Sequence, residues 1–388
     1  MLAGALTPPL QAHLSRLGTR LSFGEAASEL WHLKGVRVTA ATARRRTEAD
    51  GAVYATRQET AAMRMLTDAP PPRRGPATQQ VSVDGAMVPL RDGSWREVRT
   101  LAIGTVVPGR EAGTVRCEEV SYFSRLCEAE RFIVLASDEV HRRGVATAGR
   151  VALVVDGAAW EQAFADAHCP DAVRILDFPH GAQRLSDVAE AVWGTHESGQ
   201  TWAAAQRREL RDGTPQTVLA AIRALPLTEA KDVAGAGQVQ GEVLGYLEPR
   251  LDQLQYATFR AQGLPIGSGI VESANKTVVA ARLKGAGRRW AEINVNPMVA
   301  LRGAVCSDRW SEAWAQIAAA RTTRRPLPPP PLLPTASAAS VATPARAVPH
   351  PSSPALPRSG PKTIVNGRPT ARHPWKRYPA ISPAPAKL

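Results

Sequence analysis

Apolar positions recur along this chain at two different spacings, and the spacing changes where the fold is expected to change. Between residues 22 and 34, Ala26, Ala27, Leu30 and Trp31 fall on one face of a helix that Ser22 can cap. Gly35 breaks that run, and Thr39 can cap a second helix carrying Arg44, Arg45 and Arg46. From residue 80 the pattern turns to strands. QVSVDGAMVPL (80–90) and WREVRTLAIGTVV (95–107) flank RDGS, a hairpin-type turn, and VRCEEVSYF (115–123) reads as a third strand. VALVVDGAAW (151–160) opens on an uninterrupted aliphatic run, as a buried parallel strand does, and AVRILDF (172–178) is another. Helical spacing returns over 179–193 with Leu185, Val188, Ala189, Val192 and Trp193. Residues 197–260 carry helical stretches such as TWAAAQRREL and no strand signal. From Pro326 the chain is rich in Pro, Ala and Ser without a packing pattern, which predicts disorder.

Three antiparallel strands followed by helix, strand, helix, strand and helix is the order of a ribonuclease-H-like α/β fold with a mixed sheet. The expected organisation is a helix-turn-helix domain over 1–70, ending in the linker PPPRRGP (70–76). A catalytic domain follows over 71–196 and 261–320, interrupted by an all-helical insertion over 197–260. A basic tail covers 321–388 and ends near the island RHPWKRY (372–378).

Charge sharpens this picture. The net charge of +13 is unevenly placed: residues from Arg321 onward hold eleven Lys or Arg and no Asp or Glu. Residues 1–70 hold nine basic and six acidic side chains, which leaves the centre close to neutral. Such flanks suit a polyanion, and double-stranded DNA gripped through a basic helix is the expected partner. No run of about 18 apolar residues occurs, so no membrane partner is expected. The N-terminal stretch has no signal-peptide pattern, and Cys117, Cys127, Cys169 and Cys306 are too dispersed for a zinc ribbon or a disulfide framework. Both features lead to an expected cytoplasmic, nucleoid-associated location.

Three acids stand out by position. Asp84 lies on the first strand, Asp156 ends the aliphatic run of the fourth, and each is followed by glycine. In an open α/β sheet the carboxyl end of a strand faces the ligand crevice. Glu272 sits in LPIGSGIVESANK (264–276), where Gly267, Ser268 and Gly269 form a turn, Ser268 is the expected N-cap and small residues are expected to let the helix start approach the sheet. Taken singly, each feature is an ordinary turn or cap. Side by side, three carboxylates repel unless cations sit among them, and hard oxygen ligands suit two Mg²⁺ or Mn²⁺ ions that clamp a phosphodiester displacement. Asp177, at the end of another strand, and His180, in the next helical turn, are expected at the same sheet edge, with His180 touching a phosphate or orienting an acid. Arg282, Lys284, Arg288 and Arg289 form a basic stripe that reads as a DNA track or a solvated face, and Trp290 reads as a core residue in preference to one that stacks on a base.

VSVDGAMVP, VVDGAAW, ILDFPHGAQRL, GLPIGSGIVES, ARLKGAGRRW and the HPW at 373–375 together resemble the ISKra-type insertion-sequence transposases of the DDE class. The resemblance covers most of residues 20–305. It implies a catalytic triad on Asp84, Asp156 and Glu272, and an Asp177–His180 pair like the Asp-x-x-His of related eukaryotic transposon families. It also implies DNA transposition at the element's terminal repeats, with strand transfer into target DNA. Such chemistry acts on paired ends, so a homodimer or larger synaptic assembly is expected. The alternatives are a non-catalytic DNA-binding regulator and a nuclease of the same fold that lacks strand transfer.

Overall fold

The structure, a computed structural model, describes residues 6–68, 70–111 and 113–322, together with the backbone of two short paired strands, Ile364–Val365 and Arg368–Pro369. Met1–Pro331 form one compact unit and Leu332–Leu388 a second. The HPW motif, RHPWKRY and most of the expected tail lie outside the described residues.

Helices α1 (Pro8–Arg20), α2 (Phe23–Lys34) and α3 (Ala40–Asp68) come first. Ser22 and Glu25 form a reciprocal capping box at the start of α2, and Gly35 ends it in the left-handed conformation, φ 65°. The Thr39 hydroxyl accepts from the Thr42 amide at 3.1 Å, as its place before α3 suggests. Leu14, Ala27, Leu30 and Ala43 make a small core among the three helices. The 29-residue α3 then runs on: Tyr54 and Ala55 join a core with Leu301 and Trp310, and Ala62 packs against the sheet-side core. At Gly51 an added Cβ would stand 2.4 Å from the Pro297 carbonyl oxygen, so only glycine permits this helix crossing. The stretch 70–76 is fastened rather than free. The Gly75 amide donates to the Thr147 hydroxyl at 2.8 Å, the Gly149 amide to the Pro76 carbonyl at 3.0 Å, and the His141 ring meets the Pro71 carbonyl at 2.9 Å.

Among the described residues of this unit, five strands form one mixed sheet: β1 (Gln79–Pro89), β2 (Trp95–Pro108), β3 (Val115–Leu126), β4 (Val151–Val155) and β5 (Val173–Leu176). The order is β3-β2-β1-β4-β5, antiparallel among β1 to β3 and parallel from β1 to β4 and β5. The expected neighbourhood of the first and fourth strands is therefore present. Helices α4 (Ala129–Arg142), α5 (Ala159–His168) and α6 (Phe178–Trp193) alternate with the later strands. On one face of β1, Val81 and Val83 join Phe132, Leu135 and Phe164 in a core. The alternate positions Gln80, Ser82 and Asp84 point the other way, as a pleat of period two requires.

Residues 197–260 are helical, as expected. They contain α7 (Glu197–Asp212), α8 (Pro215–Arg223), α9 (Val233–Leu247), a 3₁₀ stretch over Glu248–Leu254 and the start of α10 (Tyr256–Ala261). Their apolar faces pack with α6 and β5 around Ile175, Leu185, Leu210, Val243 and Tyr256. The chain returns as α11 (Gly269–Ala274), a π-helical turn over Asn275–Ala280, and α12 (Ala281–Leu283). Helices α13 (Glu292–Cys306) and α14 (Trp310–Thr322) complete the unit. Arg321, in α14, pairs with the buried Asp50 of α3, which also accepts from Gln11 at 2.7 Å and Ser15 at 2.5 Å. Arg321 therefore belongs to the folded unit and not to the tail.

Candidate functional site

Strand register brings the acids together. Gln79, Gln80 and Val81 pair with Val151, Ala152 and Leu153, and the same offset of 72 residues separates Asp84 from Asp156. Ala152 through Val155 pair with Val173 through Leu176, and the same offset of 21 separates Asp156 from Asp177. The Asp177 amide donates to the Val155 carbonyl at 2.7 Å, so the ladder continues to this point. Asp84 also faces Thr100 of β2, which faces Ser124 of β3. One polar row thus crosses the sheet, with three aspartates at its parallel side. Pairing of β1 to β4 ends at Val81, three residues before Asp84, so the two strands have parted by the level of Asp84 and Asp156.

Each aspartate is held differently. Asp84 accepts from the Gly85 amide at 2.6 Å and from the Asn275 side chain at 2.7 Å. Burial raises its carboxyl above the ordinary range; the Gly85 bond opposes this and the Asp156 charge adds to it. Asp156 accepts from the Ala158 amide at 3.1 Å, and its carbonyl accepts from the Tyr246 hydroxyl. Next to it Gly157 has φ +89°, a conformation open to glycine, and an added Cβ would lie 2.8 Å from Arg250 Nε. Arg250 donates to the Gly157 carbonyl at 3.0 Å and lies over the Tyr246 ring at 4.4 Å. The helical insertion therefore braces the turn that presents Asp156. Glu161, 1% exposed, accepts from the Gly157 and Ala158 amides at 2.9 Å each. Burial first, and then the neighbouring Asp156 carboxyl, push Glu161 up to about 10, so it is a neutral acid facing Asp156.

Asp177 is fully buried and serves as a junction. It caps α6, accepting from the His180 amide at 3.2 Å and the His180 Nδ1 at 2.8 Å, and it accepts from the Ser268 amide at 2.6 Å. Burial pushes its carboxyl up, but the His180 and Ser268 bonds outweigh that and hold it below the ordinary range. His180 is raised, chiefly by its bond to Asp177, with further pull from Asp156 and Asp84. Its half-exposed ring thus lies near both Asp84 and Asp156.

The Gly-rich segment is held by its backbone. Gln80 donates to the Gly267 carbonyl at 2.9 Å, the Phe178 amide to the Ile266 carbonyl at 2.9 Å, and Asp177 takes the Ser268 amide. Expectations for this segment are corrected on two points. Ser268 is the N-cap of α11, as expected, but among the described residues its hydroxyl makes no cap bond, because its backbone (φ −82°, ψ 17°) is not in the extended conformation from which a side chain caps. The glycines are not needed for close packing either: an added Cβ at Gly267 would meet only Asp177 Oδ1 at 4.0 Å, and one at Gly269 nothing within 4 Å.

Glu272 is the third acid, and it stands apart from the other two. Its carboxylate pairs with Lys276 at 3.6 Å and is 41% exposed. Asn275, one turn further along, makes the direct bond to Asp84. Among the described residues no group of three or more His, Cys, Asp or Glu is arranged to hold a metal ion. Asp84, Asp156 and His180 converge; Glu272 reaches the same helix face without joining them. The π-helical turn that starts at Asn275 widens the helix at this point, a feature frequent at functional sites. Asn275, Glu161, Tyr246 and Arg250 were not singled out from the sequence. Asn275 had a legible signal, three residues after Glu272 on a helix; the others depend on distant packing.

The basic residues divide. Arg44, Arg45, Lys284 and Arg289 are exposed, and Arg46 and Arg288 are partly buried. Arg282 is corrected as a member of an exposed stripe: it is 2% exposed, lies between Phe23 at 4.5 Å and Trp290 at 4.9 Å, and donates to the Gly18 carbonyl at 3.0 Å. The helix turns it inward because α1 and α2 cover this face of α12. Trp290 packs as expected, 7% exposed and edge-on to Phe23 at 6.1 Å.

No protein-family model matches the chain, and no curated protein matches it.

Proposed function

We propose that this chain is a DNA transposase of the DDE class, with a ribonuclease-H-like core that breaks and joins phosphodiesters at the ends of an insertion sequence. The observation that supports this reading most is the nearness of Asp84, midway along β1, to Asp156, just past the end of the adjacent parallel strand β4, close enough for the Asp156 charge to raise the Asp84 carboxyl. Two neighbouring carboxylates, one of them raised partly by the other, make a setting that a hard divalent cation relieves. Asp84 and Asp156 supply the hard oxygen ligands such ions take, and Mg²⁺ or Mn²⁺ is the expected cofactor. Glu272 does not complete a three-carboxylate set as it stands. Its carboxylate pairs with the exposed Lys276, and surface pairs of this kind are worth about 0–1 kcal/mol, so release from Lys276 is cheap.

When bound, divalent cations supply Lewis acidity to the scissile phosphate and lower the pKa of an attacking water. The chain's own residues do the rest. Asp84 is oriented by Asn275, Asp156 by Glu161 and the Tyr246–Arg250 brace, and His180 offers a proton-bearing ring that Asp177 keeps more basic than a free imidazole. Helices α2 and α3, joined through Gly35, act in this reading as the helix-turn-helix that grips terminal repeats, with Arg44, Arg45 and Arg46 toward the duplex. Paired ends call for a homodimer or larger synaptic assembly.

The test is an assay on DNA carrying the sequences that flank the gene, with Mg²⁺ present. Wild-type chain is expected to cut at the element ends and to produce joined products, and Asp84→Asn and Asp156→Asn to do neither while still binding DNA. Cutting without joining would reduce the reading to a nuclease; full activity in both variants would overturn it.

A further inference from the structure

A pocket of ≈ 260 Å³ lies away from the aspartate row, where α2, α3, the turn between β1 and β2, and the segment after α12 meet. Arg44, Arg91, Arg282, Arg288 and Arg289 line it, against a single acid, Glu48. The elements that deliver these arginines are unrelated in sequence. Leu90 bridges Trp290 and the Arg91 amide donates to the Trp290 carbonyl at 2.9 Å, so the β1–β2 turn and the Arg288–Arg289 segment are locked together.

Two donors in this wall have no partner among the described residues. Arg282, 2% exposed, spends Nε on the Gly18 carbonyl and leaves Nη2 unpaired. Trp290, 7% exposed, leaves its indole Nε1 unpaired. A buried donor without an acceptor costs about 1–3 kcal/mol, more when charged, and nearly all such groups in native proteins are satisfied. Five guanidiniums facing one carboxylate also repel each other. An anion with several acceptor oxygens relieves that repulsion; Arg282 Nη2 and Trp290 Nε1, closed to solvent, are reached only where the rim side chains give way. The volume lies below the roughly 300–1,000 Å³ of sites for drug-sized molecules, which favours a small anionic group over a whole cofactor.

We propose that this pocket seats a backbone phosphate of duplex DNA, taken by Arg44, Arg91 and Arg289 at its rim, over a floor that Arg282 and Trp290 help to form. The inference rests on the reading of DNA as the partner but not on metal chemistry. It makes Arg91, in a hairpin turn, a DNA contact, and it gives Arg44 and the segment after α12 one shared ligand. A phosphate contact positions the duplex and carries no sequence information, so its loss weakens binding to every sequence alike.

Fluorescence anisotropy with labelled duplex, in EDTA and across a salt series, tests it on the full chain. Arg91→Ala and Arg44→Ala remove exposed rim residues, and Arg208→Ala, an exposed arginine on α7, controls for charge alone. Each rim variant is expected to bind several-fold more weakly and to lower the slope of log K against log salt by about 0.9, with Arg208→Ala near wild type. Inorganic phosphate at millimolar level is expected to leave binding unchanged beyond its ionic strength. Rim variants that match Arg208→Ala overturn the pocket while leaving DNA as partner. Wild-type chain that binds no duplex overturns the DNA reading itself. Inorganic phosphate that binds the pocket by calorimetry, together with rim variants that bind duplex like Arg208→Ala, would assign the pocket to the free ion instead.

Discussion

Glu161 shows how one residue sets up another. Its Oε2 takes both the Gly157 and Ala158 amides, and its protonated carboxyl faces Asp156. Glutamine reproduces this pattern: the amide oxygen accepts the two backbone donors and the NH₂ donates to Asp156. Alanine leaves the Gly157 amide buried without its acceptor. Glu161→Gln is therefore expected to keep the urea midpoint close to wild type, and Glu161→Ala to lose about 1–3 kcal/mol. Equal losses in both variants would show that Glu161 acts as a fixed charge and not as a hydrogen-bonding acid.

At the scale of elements, α4 is tied to the turn between α13 and α14 by a buried pair. Arg309 donates two bonds to Glu139, at 2.7 and 2.6 Å, and Ser121 of β3 donates a third at 2.5 Å. Burial pushes the Glu139 carboxyl up, yet Arg309 and Ser121 outweigh this and hold it below its ordinary 4.5. A depressed acid adds stability above its unfolded value and loses it as pH falls through the folded one, so this contribution fades only under acid conditions below 4.5. Glu139→Gln leaves Arg309 facing a neutral partner. It is expected to cost about 3 kcal/mol at pH 7, and the difference from wild type to shrink as denaturation curves are taken into acid. The same scale shows what the sequence made legible. Strand patterning and uninterrupted aliphatic runs located the five strands of the main unit to within a few residues, and Ser22, Gly35 and Thr39 marked real helix ends. The spacing of 72 between Asp84 and Asp156 was visible in the chain, but its meaning as a strand register was not, because register is fixed by pairing partners. Arg282 was misread because a basic residue at helical spacing gives no hint of the aromatic rings that bury it. The separation of Glu272 from the aspartates has the same origin: a helix-mouth motif fixes the local turn, and the distance to the sheet depends on how α11 docks.

For the whole molecule, the distribution of charge bears directly on how DNA would be held. Beyond residue 331 the sequence holds eight Lys or Arg and no acid, whereas the centre of the chain is close to neutral. The residues that close the folded unit, including Arg321 on Asp50, lie before that point. A chain ending at residue 331 is therefore expected to keep the thermal midpoint of the full protein. Its affinity for duplex is another matter. Each phosphate neutralised by a lysine or arginine contributes about 0.9 to the salt slope, so eight added cations can steepen it by several units where each meets a phosphate. The truncated chain is expected to bind more weakly at low salt and to approach the full chain as salt rises, since the lost term is the one that salt screens. Slopes measured side by side from 50 to 300 mM salt decide it. Parallel lines for the two chains would mean that the terminal charges serve something other than DNA, and would leave the arginine pocket and the α3 arginines as the whole electrostatic grip.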